Sequence, residues 1–254
     1  MKRFMIDLAK RAGKLADNNL FDKSIKYKST KDVVTDIDIK IENMIKKEIE
    51  KKYPDHAIIS EESDDVSGKS FTWIIDPIDG TMNYSHNLPL YCISIAVVKD
   101  KKIIMGAVYS SFYDELFFSK KGEGSFLNEK RIKVSDTSAI EKSMVYYSPS
   151  ARGGFSKGFL LYNTFTRELE RVRSLGTLAL EICYVASGRG DGVVRFSSGA
   201  KIWDFAAASL ILKEAGGKVT DFSGMDINEI KQSDFVGTNS LIHDDIIDVT
   251  ANFS

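Results

Sequence analysis

The chain has 254 residues, 43% of them apolar and 28% charged, with a formal net charge of −1. These are ordinary globular values for one large domain or two tightly joined halves, and they remove any need for disulfide or metal staples in folding. The near-neutral balance gives no general affinity for nucleic acid or an anionic membrane, so an anionic substrate must be recognised at a local site.

Phe4, Met5, Leu8, Ala12, Leu15 and Ala16 recur at helical spacing and predict a first amphipathic helix. The N-terminal stretch opens like a signal peptide but soon alternates charge with apolar residues, which favours the helix. No apolar run approaches the ~20 residues needed to span a bilayer. Cys92 and Cys183 are the only cysteines, both in apolar segments, so a reduced, cytoplasmic protein is expected. A second helix is predicted from about Asp36, with Ile37, Ile41, Met44, Ile45 and Ile49 on one face, stopping before Pro54. The polar, lysine-rich residues 24–35 between the helices read either as a solvated loop or as a lid over a site.

After Pro54 the pattern turns to short apolar runs at 57–60, 71–76, 91–98, 103–109 and 115–119, which predict strands. Residues 91–110 read as an antiparallel hairpin closed by 99–102. From Ser143 onward strand-like and helical segments alternate, giving mixed α and β in layers. A division near residue 140 is expected, into an N-terminal α+β half over 1–140 and a C-terminal α/β half over 141–254.

His56, His86 and His243 show no zinc-ligand spacing, and neither a nucleophile elbow nor a P-loop is present. Acidic residues in unusual settings remain. In residues 73–81, a buried strand ends on Asp76, Pro77 turns the chain and Asp79-Gly80 follows. Carboxylates three apart, with the Ile78 carbonyl between them, suit a hard cation, while Gly80 and Thr81 could offer N–H groups to an anion. Taken alone, the segment reads equally as turn chemistry. Glu61 and Glu62 follow an apolar strand and by themselves read as a solvated acidic turn. Asp204 reads by default as a helix N-cap, and Asp36 and Asp38 as acids favoured at a helix start.

In order and separation, three of these segments resemble the inositol monophosphatase family. They are Glu61-Glu62-Ser63, then Trp73-Ile74-Ile75-Asp76-Pro77-Ile78-Asp79-Gly80-Thr81, then Trp203-Asp204 before a small-residue helix ending Glu214-Ala215-Gly216-Gly217. The resemblance runs along nearly the whole chain and implies a layered αβαβα sandwich, usually a homodimer. It implies two or three Mg²⁺ held by Glu61, Asp76, Asp79, Asp204 and the Ile78 carbonyl. Thr81, supported by Asp38, would orient the attacking water. Gly80 and Thr81 would meet the phosphate, and Gly176 and Thr177 the rest of the substrate. The implied activity is hydrolysis of inositol 1-phosphate and related sugar phosphates by metal-activated water, with no covalent intermediate.

Ser197 falls where animal members carry an acidic ring contact. Microbial members that also cleave fructose 1,6-bisphosphate carry an arginine in this loop, for which Arg195 is the nearest candidate, with Arg173 a second cation beside the site. Phosphatases of 3′-phosphoadenosine nucleotides or of histidinol phosphate are alternatives. From other classes come a catalytically silent ion-binding relative, and a partner-binding module using Phe155, Phe159 and Tyr162, whose spacing better suits a helix packed on its own core.

Overall fold

The computed structural model describes residues 1–29, 32–148, 155–196, 200–227 and 234–253. Two helices open the chain, α1 (Lys2–Asn18) and α2 (Asp36–Lys52), separated by an antiparallel hairpin of β1 (Ile25–Ser29) and β2 (Asp32–Thr35). The lysine-rich link, read as loop or lid, is therefore a two-stranded ribbon. Thr35 caps α2: its hydroxyl accepts from the Ile37 and Asp38 N–H groups, and the Asp38 carboxylate takes the Thr35 N–H in return. This reciprocal cap fixes the start of α2 and buries Asp38.

A seven-stranded sheet follows. Its strands are β3 (Ala57–Ser60), β4 (Thr72–Asp79), β5 (Cys92–Lys99), β6 (Lys102–Ser110), β7 (Glu115–Lys120), β8 (Ser125–Leu127) and β9 (Lys130–Ile132), side by side in chain order. β3 and β4 are parallel and the other neighbours antiparallel. The short helix α3 (Thr81–Ser85) leaves the end of β4. The β5–β6 hairpin closes through Asp100 and Lys101, both at positive φ, matching the two-residue turn that right-twisted strands prefer.

The second half adds β10 (Met144–Tyr147), α4 (Phe155–Glu168), β11 (Arg171–Arg173), α5 (Leu178–Ala186), β12 (Gly192–Arg195), α6 (Ile202–Glu214), β13 (Lys218–Thr220), β14 (Phe235–Thr238) and α7 (His243–Ala251). Its five strands run in the order β11-β10-β12-β14-β13.

Three apolar clusters hold these elements in five layers, the αβαβα sandwich expected from the resemblance. One joins α1 and α2 to the large sheet through Trp73, Ile75, Ile93 and Ile95. The middle cluster packs α5 and α6 between the sheets, against Ile74, Cys92 and Ala96 on one side and Val193 and Phe235 on the other. The third lies on the outer face of the small sheet, where Leu161 and Phe165 of α4 and Ile246 of α7 are buried. α6 is apolar around most of its circumference because it is covered from both sides. Its small residues let β6 approach so closely that a Cβ on Gly106 would stand 2.5 Å from the Ala207 carbonyl oxygen.

α4 packs on its core through Leu161 and Phe165; of the aromatics singled out in the sequence, Tyr162 is 37% exposed but stacks on buried Tyr147, while Phe159 is 53% exposed. The Phe155 side chain lies outside the described residues. Among the described residues, no helix is long and apolar enough to cross a membrane.

Candidate active site

Two carboxylates three residues apart on a regular strand would point to opposite faces. Along β4, however, Asp76 pairs with Ser94 and Asp79 with Cys92. Three steps on β4 therefore match two on β5, and the extra residue beside Pro77 is a bulge. It turns both carboxylates to the face that looks at α5 and α6.

Asp79 meets the start of α5 there. Its carboxylate accepts the Thr177 hydroxyl at 2.5 Å, the Ala179 N–H at 2.7 Å and the Leu178 N–H at 3.3 Å. The N-terminal turn of α5 is thus capped from another sheet. Asp204 approaches from α6. Its place after Trp203 suggests an N-cap, but α6 begins at Ile202, so Asp204 is the third helical residue and folds back on the Lys201 N–H at 2.6 Å. Glu61 stands just beyond β3, on the edge of a cleft of about 520 Å³ that Glu62 and Trp203 also line.

Thr81 opens α3 behind Gly80, which holds φ at +97° and has no room for a side chain against the Leu90 carbonyl. The Thr81 hydroxyl lies 2.8 Å from the Ile78 carbonyl oxygen and 3.2 Å from Asp38 Oδ1. Asp38, Asp76, Asp79 and Glu61 thus gather from α2, β4 and the end of β3, with Asp204 from α6 beside them.

Burial, then repulsion from Glu61, Asp79, Asp204 and Asp38, holds the Asp76 carboxyl well above its ordinary range. Burial pushes Glu61 up to about 8 against the opposing pull of Lys28, with further repulsion from Glu62, Asp204 and Asp38. Asp204 rises to about 7, through burial and then Asp79. Burial also raises Asp79 and Asp38, which their hydrogen bonds partly offset. Among the described residues no three acidic, histidine or cysteine side chains close into a finished cation cage. Instead the Lys28 ammonium reaches over from β1 to within 3.6 Å of Glu61 and 2.5 Å of Glu62.

Gly176 and Thr177 lie on the segment before α5, and Thr177 is buried against Asp79. Arg195 ends β12 half-buried, its guanidinium 3.5 Å from Glu181. Arg173 stands apart, exposed, with its guanidinium on the Val172 carbonyl at 3.0 Å. Ser197 lies outside the described residues.

Two buried acids that brace segments of the site escaped the sequence reading. Glu42 accepts the Glu62 N–H at 2.8 Å and the Ser63 hydroxyl, fixing the turn that carries Glu61. Glu181 accepts the Leu175 and Gly176 N–H groups. Each left a faint signal: Glu42 follows Asp38 by four residues beside the apolar stripe of α2, and Glu181 sits alone among apolar residues in α5.

Comparison with known proteins gives the family. The model of the inositol monophosphatase family matches residues 1–251. The chain is 39% identical over 219 residues to a fructose-1,6-bisphosphatase/inositol-1-monophosphatase of Thermotoga maritima, covering 86% of this chain and 82% of that one. It is 37% identical over 231 residues to a Nus factor SuhB of Pasteurella multocida, covering 87% and 86%. The crystal structure of the extragenic suppressor protein SuhB from Bartonella henselae superposes with a TM-score of 0.93 at 30% identity, covering 98% and 97%. Fold and matches together define a metal-dependent phosphoric monoester hydrolase. The chain belongs to the inositol monophosphatase family.

Proposed function

We propose that the chain is a Mg²⁺-dependent phosphatase of small polyol and sugar phosphates, acting on inositol 1-phosphate and also on fructose 1,6-bisphosphate. The observation that carries this reading is the group of buried Asp76 and Asp79 with half-buried Glu61 and Asp204, each raised above its ordinary range by desolvation, with repulsion adding to it at Glu61, Asp76 and Asp204. Charge gathered at such cost calls for a counter-charge: at an effective dielectric near 20, two carboxylates ~4 Å apart repel by about 4 kcal/mol. The donors fit a hard divalent cation, since all are oxygens. Glu61, Asp76, Asp79, Asp204 and the Ile78 carbonyl would hold two or three Mg²⁺. When bound, Mg²⁺ supplies Lewis acidity and screens the phosphoryl charge.

The protein's own groups do the rest. The Thr81 hydroxyl, donating toward Asp38 Oδ1 or the Ile78 carbonyl, keeps lone pairs with which to accept from the attacking water. As the water oxygen bonds to phosphorus and the bond from phosphorus to the polyol oxygen breaks, the water proton passes to Thr81 Oγ1 while the Thr81 proton moves to Asp38, and the departing polyol oxygen takes a proton from solvent water. Burial of Asp38 raises its affinity for that proton. Gly80 and Thr81 N–H groups would meet the phosphate and Gly176 the polyol, while Thr177, expected beside it, is buried against Asp79.

A double activity appears in the name of the Thermotoga relative. Arg195 supports the same breadth here, because a guanidinium near the cleft suits a second phosphate. Ser197 would leave the polyol ring without a carboxylate acceptor. We infer action as a homodimer in the cytoplasm, in keeping with two buried free cysteines.

The test is phosphate release over a panel of inositol, sugar and nucleotide phosphates, before and after EDTA dialysis and Mg²⁺ repletion. The reading expects turnover of inositol 1-phosphate and fructose 1,6-bisphosphate, lost with EDTA and restored by millimolar Mg²⁺. Full activity in chelated protein, or turnover confined to nucleotides, would overturn it.

A further inference from the structure

Glu181 is an acid inside an otherwise apolar helix and only 1% exposed. Such a carboxylate is costly unless its lone pairs are used. Oε1 accepts the Leu175 N–H at 2.7 Å and the Gly176 N–H at 3.2 Å. Oε2 faces the Arg195 guanidinium at 3.5 Å.

The strap formed by residues 174–177 is gripped from its other side as well. Asn83 Nδ2 donates to the Leu175 carbonyl at 2.6 Å, and the Thr177 hydroxyl donates to Asp79 at 2.5 Å. Gly176 holds φ at +74° against Asn83, a conformation that a side chain there would strain. Arg195 is near enough to favour the ionised forms of Glu181, Asp79 and Asp204. One buried carboxylate thus joins the strap bearing Gly176 and Thr177 to a cation close to Asp79 and Asp204.

An unanchored arginine loses side-chain freedom when it grips an anion, and tethering one edge of the guanidinium removes part of that cost beforehand. We propose that Glu181 is a positioning residue that locks Arg195 to the 174–177 strap, and so sets how tightly the cleft holds the non-reacting part of a phosphorylated substrate. The proposal rests on the preceding reading for its choice of substrates.

A double-mutant cycle tests it. Glu181→Gln is nearly isosteric and keeps an oxygen for the two N–H groups, but removes the charge that Arg195 meets. In it KM rises about five- to ten-fold while kcat stays within about two-fold. In an Arg195→Ala background the same change has no further effect on KM. Arg195→Lys, which keeps the charge but not the planar fork, restores part of what Arg195→Ala loses. Glu181→Asp, charged but too short to reach, takes the place of Glu181→Gln if the latter does not fold.

Additive effects, or a fall in kcat with KM unmoved, would overturn the proposal and leave Glu181 a purely structural acid. Inositol 1-phosphate and fructose 1,6-bisphosphate are run side by side. Absence of bisphosphate turnover in the wild type counts against the substrate reading, while the cycle on inositol 1-phosphate still decides the role of Glu181.

Discussion

The Asp79 carboxylate caps a helix a hundred positions further along the chain, accepting the Ala179 N–H at 2.7 Å. A proposed metal ligand is therefore also the clasp between the large sheet and α5. The two roles separate by substitution. Asp79→Asn keeps a carbonyl oxygen for the N–H groups and relieves repulsion with Asp76, so thermal unfolding stays close to wild type while kcat falls more than about ten-fold. Asp79→Ala strands the Thr177 hydroxyl and two N–H groups, and costs about 1–3 kcal/mol of stability as well. Equal melting of the Asn and Ala variants would argue against the clasp.

Stability without metal should fall as pH rises. Folded Glu61 titrates at about 8 and Asp204 at about 7, above their ordinary values of 4.5 and 3.8. Between its unfolded and folded pKa each of these groups binds more protons in the native state than in the unfolded chain, so the stability it contributes is full below about pH 4 and declines up to about pH 8, opposed below about pH 6.5 by buried His243, whose pKa is lowered to about 4. Mg²⁺ binds the ionised form and should reverse that decline, raising Tm more at pH 8 than at pH 5. Scanning calorimetry in EDTA and in Mg²⁺ across this range is the check; a metal-free Tm that rises toward pH 8 would contradict it.

Why Asp76 and Asp79 could be read from the sequence, and Glu42 and Glu181 could not, has a physical reason. Residues 73–81 carry their own turn chemistry, so the local order Asp-Pro-Ile-Asp-Gly announces clustered oxygens, although β4 does not end on Asp76 as expected but runs through Pro77 to Asp79. That both carboxylates share a face depends on the register with Cys92 and Ser94, which no local pattern states. Glu42 and Glu181 are used by N–H groups from other segments, those of Glu62, Leu175 and Gly176. Their burial is legible only once those segments are folded together. α1 and α2 followed from apolar spacing, whereas β1 carries Lys26 and Lys28 and is exposed over residues 25–28, and so hid within a polar link.

The approach of α6 to the large sheet sets where Asp204 stands, and Gly106 permits it. A methyl group at Gly106 would lie 2.5 Å from the Ala207 carbonyl oxygen, a backbone atom that can yield only if the helix moves. Gly106→Ala should cost about 1–3 kcal/mol through overpacking, or on the order of 2–4 °C in Tm per kcal/mol for a chain of this size. Displacing α6 also displaces Asp204, so the metal concentration needed for half-maximal activity should rise. A variant with wild-type Tm and unchanged metal dependence would show that the layers part without cost.

The last expectation concerns Thr81, whose hydroxyl lies between Asp38 and the Ile78 carbonyl at the start of α3. If it orients the attacking water, its contribution grows as the water begins to bond to phosphorus and is small while substrate merely sits in the cleft. Thr81→Ala should then lower kcat by about 10²–10⁴-fold, the range typical of a positioned proton-transfer group, with KM changed little. Thr81→Ser keeps the hydroxyl and should recover much of the rate, losing only what the methyl group contributes to holding its rotamer. Asp38→Asn probes the same relay from behind. It keeps an acceptor for Thr81 but not the capacity to take a proton, so it should depress kcat without loosening substrate. Steady-state kinetics on all three variants decides the matter: a raised KM with intact kcat in Thr81→Ala would make Thr81 a phosphate-binding residue and remove it from the proton path.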